Sequence, residues 1–248
     1  MVTPVGGRAW TALRTRARRL DSAALEALSP MLILSPHQDD ETLGCGGLIA
    51  MACALGLAPR VAYLTDGAAS HRGSPSWPAH RLAAARRREA RRALRVLGVR
   101  SRDIRFLGWP DGRPATPGTP AHEAAADDLK AWVRSRPPRS VLSTWRGEPH
   151  CDHEAAADLA DVLAARLAGP VRRLDFIVWG WTRPELAAEP KGVWALDCRS
   201  VIALRRRALA CHRTQTTGLI SDAQEAFRIP PEIAALAARP AELYLEGR

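Results

Sequence analysis

The 248-residue chain has no apolar stretch near the roughly 18 residues that a membrane-spanning helix requires. No membrane span is therefore expected. Its basic N-terminal stretch, Arg8 to Arg19, lacks a hydrophobic core. Residues 1–29 are therefore read as a basic helical segment, not as a secretory signal. No two of the five cysteines (Cys45, Cys53, Cys151, Cys198, Cys211) form a Cys-x-x-Cys pair. That excludes a zinc finger or a disulfide framework, and fits reduced thiols in a cytoplasmic protein. Lysine is nearly missing: Lys130 and Lys191 are the only two among 36 basic residues. The net charge of +10 is thus almost wholly arginine. Its densest run, Arg86 to Arg88 with Arg91, Arg92 and Arg95, shares a helical pattern with Leu82, Ala90, Leu94 and Leu97. That is the ordinary composition of a solvated helix face, so no nucleic-acid partner is expected. No internal repeat is visible, and residues 30–248 suffice for one α/β domain with a full core.

What is present is concentrated in residues 31 to 49. The apolar run Met31 to Leu34 stops at Ser35-Pro36, and His37, Asp39, Asp40 and Glu41 follow within five positions. A glycine-rich turn, Gly44 to Gly47, then leads into a second apolar run. The pattern predicts a buried strand, a loop crowded with ligand-type side chains, and a helix. One of these residues would suffice as a helix cap. Capping does not account for a histidine beside two adjacent aspartates.

Downstream, strand patterns at Arg60 to Thr65, Asp103 to Leu107, Ser140 to Thr144 and Leu174 to Trp179 alternate with helical ones. Short connections between them predict a Rossmann-like, doubly wound, mostly parallel α/β sheet of order 3-2-1-4-5. After it comes a C-terminal extension: an extra strand at Val193 to Cys198, a helix at Val201 to His212, and a proline-containing tail that wraps the domain. A second cluster, Glu148-Pro149-His150-Cys151-Asp152-His153, follows the fourth strand. In that order the first and fourth strands are neighbours, and the crevice between their carboxyl ends is where such sheets bind ligands. The fold thus brings His37, Asp39 and Asp40 against His150, Asp152 and His153. Two histidines and a carboxylate with an open fourth position suit a catalytic zinc site. A carboxylate and a histidine remain for acid–base work, so the sequence proposes metal-assisted hydrolysis. Trp179, Trp181 and Arg183 end the fifth strand beside the crevice. Trp181 and Arg183 are candidates to line it, where an aromatic face would stack on a sugar and an arginine would hold hydroxyls or anions, while core packing is the alternative for Trp179.

Pro36-His37-Gln38-Asp39-Asp40-Glu41 and His150-Cys151-Asp152-His153 resemble the paired signatures of the LmbE-like, or PIG-L, zinc-dependent N-acetylglucosamine deacetylases. Thr65-Asp66-Gly67, Asp111-Gly112 and His212-Arg213-Thr214-Gln215 extend the resemblance across about residues 31–215. By position, the resemblance implies zinc, or another divalent ion, one per chain, on His37, Asp40 and His153. It implies Asp39 as general base, His150 as general acid or oxyanion stabiliser, and Asp152 orienting His150. It also makes Arg86 a candidate for lining the site. Gln38 and Cys151 replace residues that are most often proline in the family, and Cys151 is expected to pack beneath its loop. The expected substrate is a small N-acetylglucosamine-type conjugate that yields acetate and a free amine. An amidase acting on another acyl amide or thiol conjugate, and a basic metal-binding module without turnover, are the alternatives.

Overall fold

Met31–Ser35 (β1) is buried along its whole length, and its alternate side chains enter two different cores. Met31 and Ile33 pack on one face, and Leu32 and Leu34 on the other. A strand buried on both faces reads as a continuous apolar run, as this one does. In the computed structural model, which describes residues 8–183 and 189–247, β1 lies mid-sheet.

The other strands are Arg60–Thr65 (β2), Ile104–Trp109 (β3), Ser140–Thr144 (β4), Arg172–Phe176 (β5), Val193–Asp197 (β6) and Ala241–Glu246 (β7). Their order is β3-β2-β1-β4-β5-β7-β6, with Arg18–Arg19 added beside β6. From β3 to β5 every pairing is parallel, in the order that the alternation of patterns predicts. The helices are Arg8–Arg16 (α1), Ser22–Leu28 (α2), Asp40–Ala54 (α3), Ala79–Val96 (α4), Pro120–Val133 (α5), Cys151–Arg166 (α6), Ile202–Leu209 (α7), Arg213–Thr216 (α8) and Pro231–Ala234 (α9). Buried residues of α5 and α6 form the core with Leu32 and Leu34, while α1 to α4 and α7 contribute to the other. Among the described residues no helix is long and apolar enough to cross a membrane.

The tail departs from expectation. Instead of only wrapping the domain, its last strand, β7, inserts antiparallel between β5 and β6. There it supports α3 from below. This helix breaks at Cys45, where φ is −142° and ψ is 21°. A helix that restarts has unpaired N–H groups at its new beginning. Glu242 of β7 takes two of them: its Oε1 accepts the Gly47 N–H at 2.7 Å and its Oε2 accepts the Leu48 N–H at 2.9 Å. A Cβ on Gly47 would fall 2.4 Å from Cys198 Sγ, so this close approach requires glycine. The same carboxylate accepts the Tyr244 hydroxyl at 2.6 Å and pairs with buried Arg205 at 3.1 Å. Glu242→Ala leaves that guanidinium without its counter-charge. The expected cost is about 3–5 kcal/mol, read by urea denaturation. A loss below about 1 kcal/mol would remove this role, since only an exposed pair costs so little.

Candidate active site

Four loops at the carboxyl ends of β1 to β4 meet above the sheet. Ser35 Oγ donates to the His37 carbonyl at 2.8 Å, and Gln38 Nε2 donates to the Thr65 carbonyl at 2.7 Å. Gln38 therefore ties the β1 loop to the β2 loop by a side-chain bond that proline could not make. Gly67 in the β2 loop has φ +70°, and a Cβ there would sit 2.3 Å from Gln38 Oε1. On the other side Thr144 Oγ1 donates to the His153 carbonyl at 3.0 Å, fixing the first turn of α6 against β4.

The juxtaposition brings His37, Asp40 and His153 together. His37 Nδ1 and His153 Nε2 lie 3.2 and 3.3 Å from the same atom, Asp40 Oδ2. Ligand atoms about 2.0–2.1 Å from a tetrahedral ion are about 3.3–3.4 Å from one another, so these spacings fit. His153 is fully buried, and its Nε2 makes no well-formed hydrogen bond. An imidazole so placed is costly unless Nε2 serves a cation. The far sides of both rings face carboxylates. His37 Nε2 lies 2.9 Å from Asp152 Oδ2 and 3.4 Å from Asp111 Oδ1, and His153 Nδ1 lies 3.5 Å from Glu148 Oε2. Carboxylates behind histidine ligands set the tautomer and leave the opposite nitrogen to the metal.

Electrostatics point the same way. Burial opposes charge on His153, but Asp40 and Glu148 outweigh it and push its pKa up to about 9. Burial likewise opposes charge on His37, while Asp111, Asp152 and Asp40 raise it well above the ordinary imidazole value. The cluster is an anionic hollow suited to a divalent cation. A second grouping, His37 with His150 and Asp152, overlaps the first through His37. Its Asp152 Oδ2 is already engaged by His37 Nε2 and by the Gly112 N–H at 2.9 Å.

Asp39 stands beside this cluster and is held from behind. Arg86 reaches from α4, its Nη2 3.2 Å from Asp39 Oδ2, and its Nη1 donates to the Gly67 carbonyl at 3.1 Å. Burial and neighbouring Asp40 raise the Asp39 pKa to about 6, against the pull of Arg86. Arg86 does not pair with Glu89, which instead accepts the backbone N–H and hydroxyl of Thr214 at 3.0 and 2.6 Å. Glu41 faces away from the cluster: its Oε2 accepts the Asp39 N–H, and its Oε1 lies 3.6 Å from His212 Nε2.

Several expectations need correction. Asp152 does not orient His150 with its side chain, which is spent on His37 and Gly112. His150 caps α6: its Nδ1 accepts the Asp152 N–H at 3.2 Å. Burial and the imidazoles of His37 and His153 lower its pKa, so it is not held as a cation. Cys151 is exposed, not packed beneath its loop, and its Sγ donates toward the Gly112 carbonyl at 3.8 Å. Trp181 turns into the core, where its ring centroid is 5.0 Å from that of Trp10 and its Nε1 donates to the Ile177 carbonyl. Arg183 is exposed and does not line the cleft; its carbonyl accepts the Trp10 indole N–H. The tryptophan that does line the cleft is Trp179. Sequence reading assigned Glu148 no role, yet its carboxylate accepts the N–H groups of Val178, Trp179 and Gly180 while facing His153.

Above these groups opens a cleft of about 440 Å³, with His37, Asp39, Asp40, Arg86 and His150 in its walls. Residues 32–164 match the PIG-L family model, described as GlcNAc-PI de-N-acetylase. The chain is 26% identical over 201 residues to the probable N-acetyl-alpha-D-glucosaminyl L-malate deacetylase 2 of Bacillus subtilis (strain 168), covering 80% of this chain and 88% of that protein. Its fold is similar to N,N'-diacetylchitobiose deacetylase from Pyrococcus horikoshii (TM-score 0.60, 24% identity, 74% of this chain and 69% of that one). It is also similar to GalB, the 4-carboxy-2-hydroxymuconate hydratase from Pseudomonas putida KT2440 (TM-score 0.59, 22% identity, 73% and 77%). A deacetylase and a hydratase at comparable similarity show that the fold alone does not fix the reaction.

Proposed function

The chain belongs to the PIG-L family, and from that premise we propose that it hydrolyses the N-acetyl group of an N-acetylglucosamine-type conjugate, releasing acetate and a free amine. One observation carries this reading. The triangle of His37 Nδ1, Asp40 Oδ2 and His153 Nε2 lies at a cleft that also contains Asp39, a carboxylate outside the ligand set. These three residues would hold the metal, and two imidazoles with one carboxylate are the donor set of catalytic zinc. When bound, the ion supplies Lewis-acid polarisation of the acetyl carbonyl and makes water more acidic.

The chain's own residues do the rest. Asp39 takes the proton of the attacking water, and Arg86 keeps its carboxylate at the cleft wall while limiting its rotation. As the negative charge grows on the acetyl oxygen, His150 offers a hydrogen bond. With Nδ1 accepting from the Asp152 N–H, the neutral ring carries its proton on Nε2, which suits donation to an oxyanion. The C–N bond then breaks as protonated Asp39 returns its proton to the nitrogen, because a free amide anion is too poor a leaving group. Asp152 and Glu148 act behind the two histidines and hold their rings.

The test is a screen of N-acetylglucosaminyl conjugates with separate detection of acetate and primary amine. Equimolar release of the two from at least one conjugate is the expected result. Wild-type protein that carries its ion and releases neither from any of them would refute the proposal.

A further inference from the structure

The proposed chemistry occupies only the inner part of the cleft. A further wall of the cleft comes from residues 222–229, of which Glu225, Phe227 and Ile229 line it, beyond the matched segment 32–164. This segment is fastened to the loop after β2 and, at Ile229, to α8. Asp222 accepts the Ser74 hydroxyl at 2.5 Å and the Ser76 N–H at 3.0 Å. The Gln224 N–H donates to the Arg72 carbonyl at 3.0 Å, the Phe227 N–H to Ser70 at 2.8 Å, and the Ile229 N–H to Gln215 at 2.9 Å. Between them His71–Arg72 and Glu225–Ala226 pair as a short antiparallel ribbon. So many main-chain bonds fix the wall before any ligand arrives.

An aromatic side chain stands partly exposed on that wall. Phe227 is 36% exposed, one of three large hydrophobic residues so exposed among those described. The other two, Leu55 and Leu219, do not line the cleft, whereas Phe227 does. Its ring meets Trp179 at an edge-to-face angle of 63°, with centroids 5.9 Å apart. Trp179 is itself tied to the metal cluster, since its N–H donates to Glu148 Oε2 at 2.6 Å and that oxygen faces His153 Nδ1. Ile229 and Leu43 add apolar surface to the same cleft. The exposed ring of Phe227, backed by the partly buried ring of Trp179, offers a cleft ligand an apolar face that water does not satisfy.

We propose that Phe227 and Trp179 form an aglycone subsite, and that the preferred substrate carries a flat apolar group, such as an aryl ring, on the amino sugar. This rests on the deacetylase reading above. With the N-acetyl group at Asp39, Phe227 and Trp179 in the same cleft are the aromatic surface available to the rest of the conjugate. An aryl aglycone there covers the exposed ring of Phe227. A methyl group at the same position does not reach across it.

The test compares the phenyl and methyl glycosides of N-acetylglucosamine, in matched anomers, on metal-loaded wild type, Phe227→Ala and Phe227→Tyr. Wild type is expected to prefer the phenyl glycoside. In Phe227→Ala the phenyl-over-methyl ratio of kcat/KM should fall roughly tenfold, mainly through KM. Phe227→Tyr, which keeps the ring, should restore the ratio. A wild type without phenyl preference, or an Ala variant with the wild-type ratio, overturns the subsite while leaving the deacetylase reading standing. Wild type inert on both glycosides and on every conjugate of the broader screen overturns the two together.

Discussion

Asp39→Asn is expected to keep the bound ion and to lose about 10²- to 10⁴-fold in turnover, the usual contribution of a general base. The replacement is nearly isosteric, and Asp39 contributes no atom to the ligand triangle of His37, Asp40 and His153. An amide nitrogen has no lone pair for the proton of the attacking water, so the loss falls on kcat. A secondary effect follows from Arg86. Its buried guanidinium would lose a charged partner and keep only the carbonyls of Gly67 and Gln38, at 3.1 and 3.4 Å. Some loss of stability is therefore expected as well, and unfolding should be followed beside acetate release and metal content. A variant that retains more than about a tenth of wild-type turnover would remove Asp39 from the role of base, since that base is worth at least 10²-fold.

His153→Ala should abolish activity by another route, through loss of the ion. His153 Nε2 is one of the three proposed ligand atoms, and removing it leaves Asp40 and His37 without their third partner. The surrounding frame should persist, because its anchors are main chain. Thr144 Oγ1 donates to the His153 carbonyl, and Glu148 still receives three N–H groups from residues 178–180. Metal content by elemental analysis should drop from about one ion per chain to a small fraction of that. Full stoichiometry in this variant would instead favour the overlapping group of His37, His150 and Asp152.

The legible part of the site was the part set by strand order. Each ligand-rich loop directly follows a strand, and β1 and β4 are hydrogen-bonded neighbours, so their loops had to meet. Which face each side chain presents was harder to read. The pattern through Trp179 looks like a continuing strand, but β5 ends at Phe176 and Trp179–Thr182 is a 3₁₀ turn. In such a turn two positions apart is a rotation of about 240°, so Trp179 and Trp181 cannot share a face. One lines the cleft and the other enters the core. The role of Glu148 is not legible in sequence because its partners are backbone N–H groups about thirty positions downstream, which leave no side-chain signature. The role of Asp152 turned on a competition that spacing does not encode. His37, 115 positions away in the chain, is the partner its carboxylate meets, while His150, two positions before it, meets only its N–H. The strand β7 was hidden for a related reason. Ala241–Glu246 follows a proline-containing stretch, and its partners lie at residues 174–176 and 193–197.

The most direct measurement is acetate release by wild-type protein stripped with a chelator and then titrated with zinc. Activity should vanish in the stripped protein and return in proportion to added ion, reaching a plateau near one equivalent per chain. A protein shown by elemental analysis to be metal-free, and hydrolysing its conjugate at the full rate, would contradict the assignment of His37, Asp40 and His153 as a catalytic metal site.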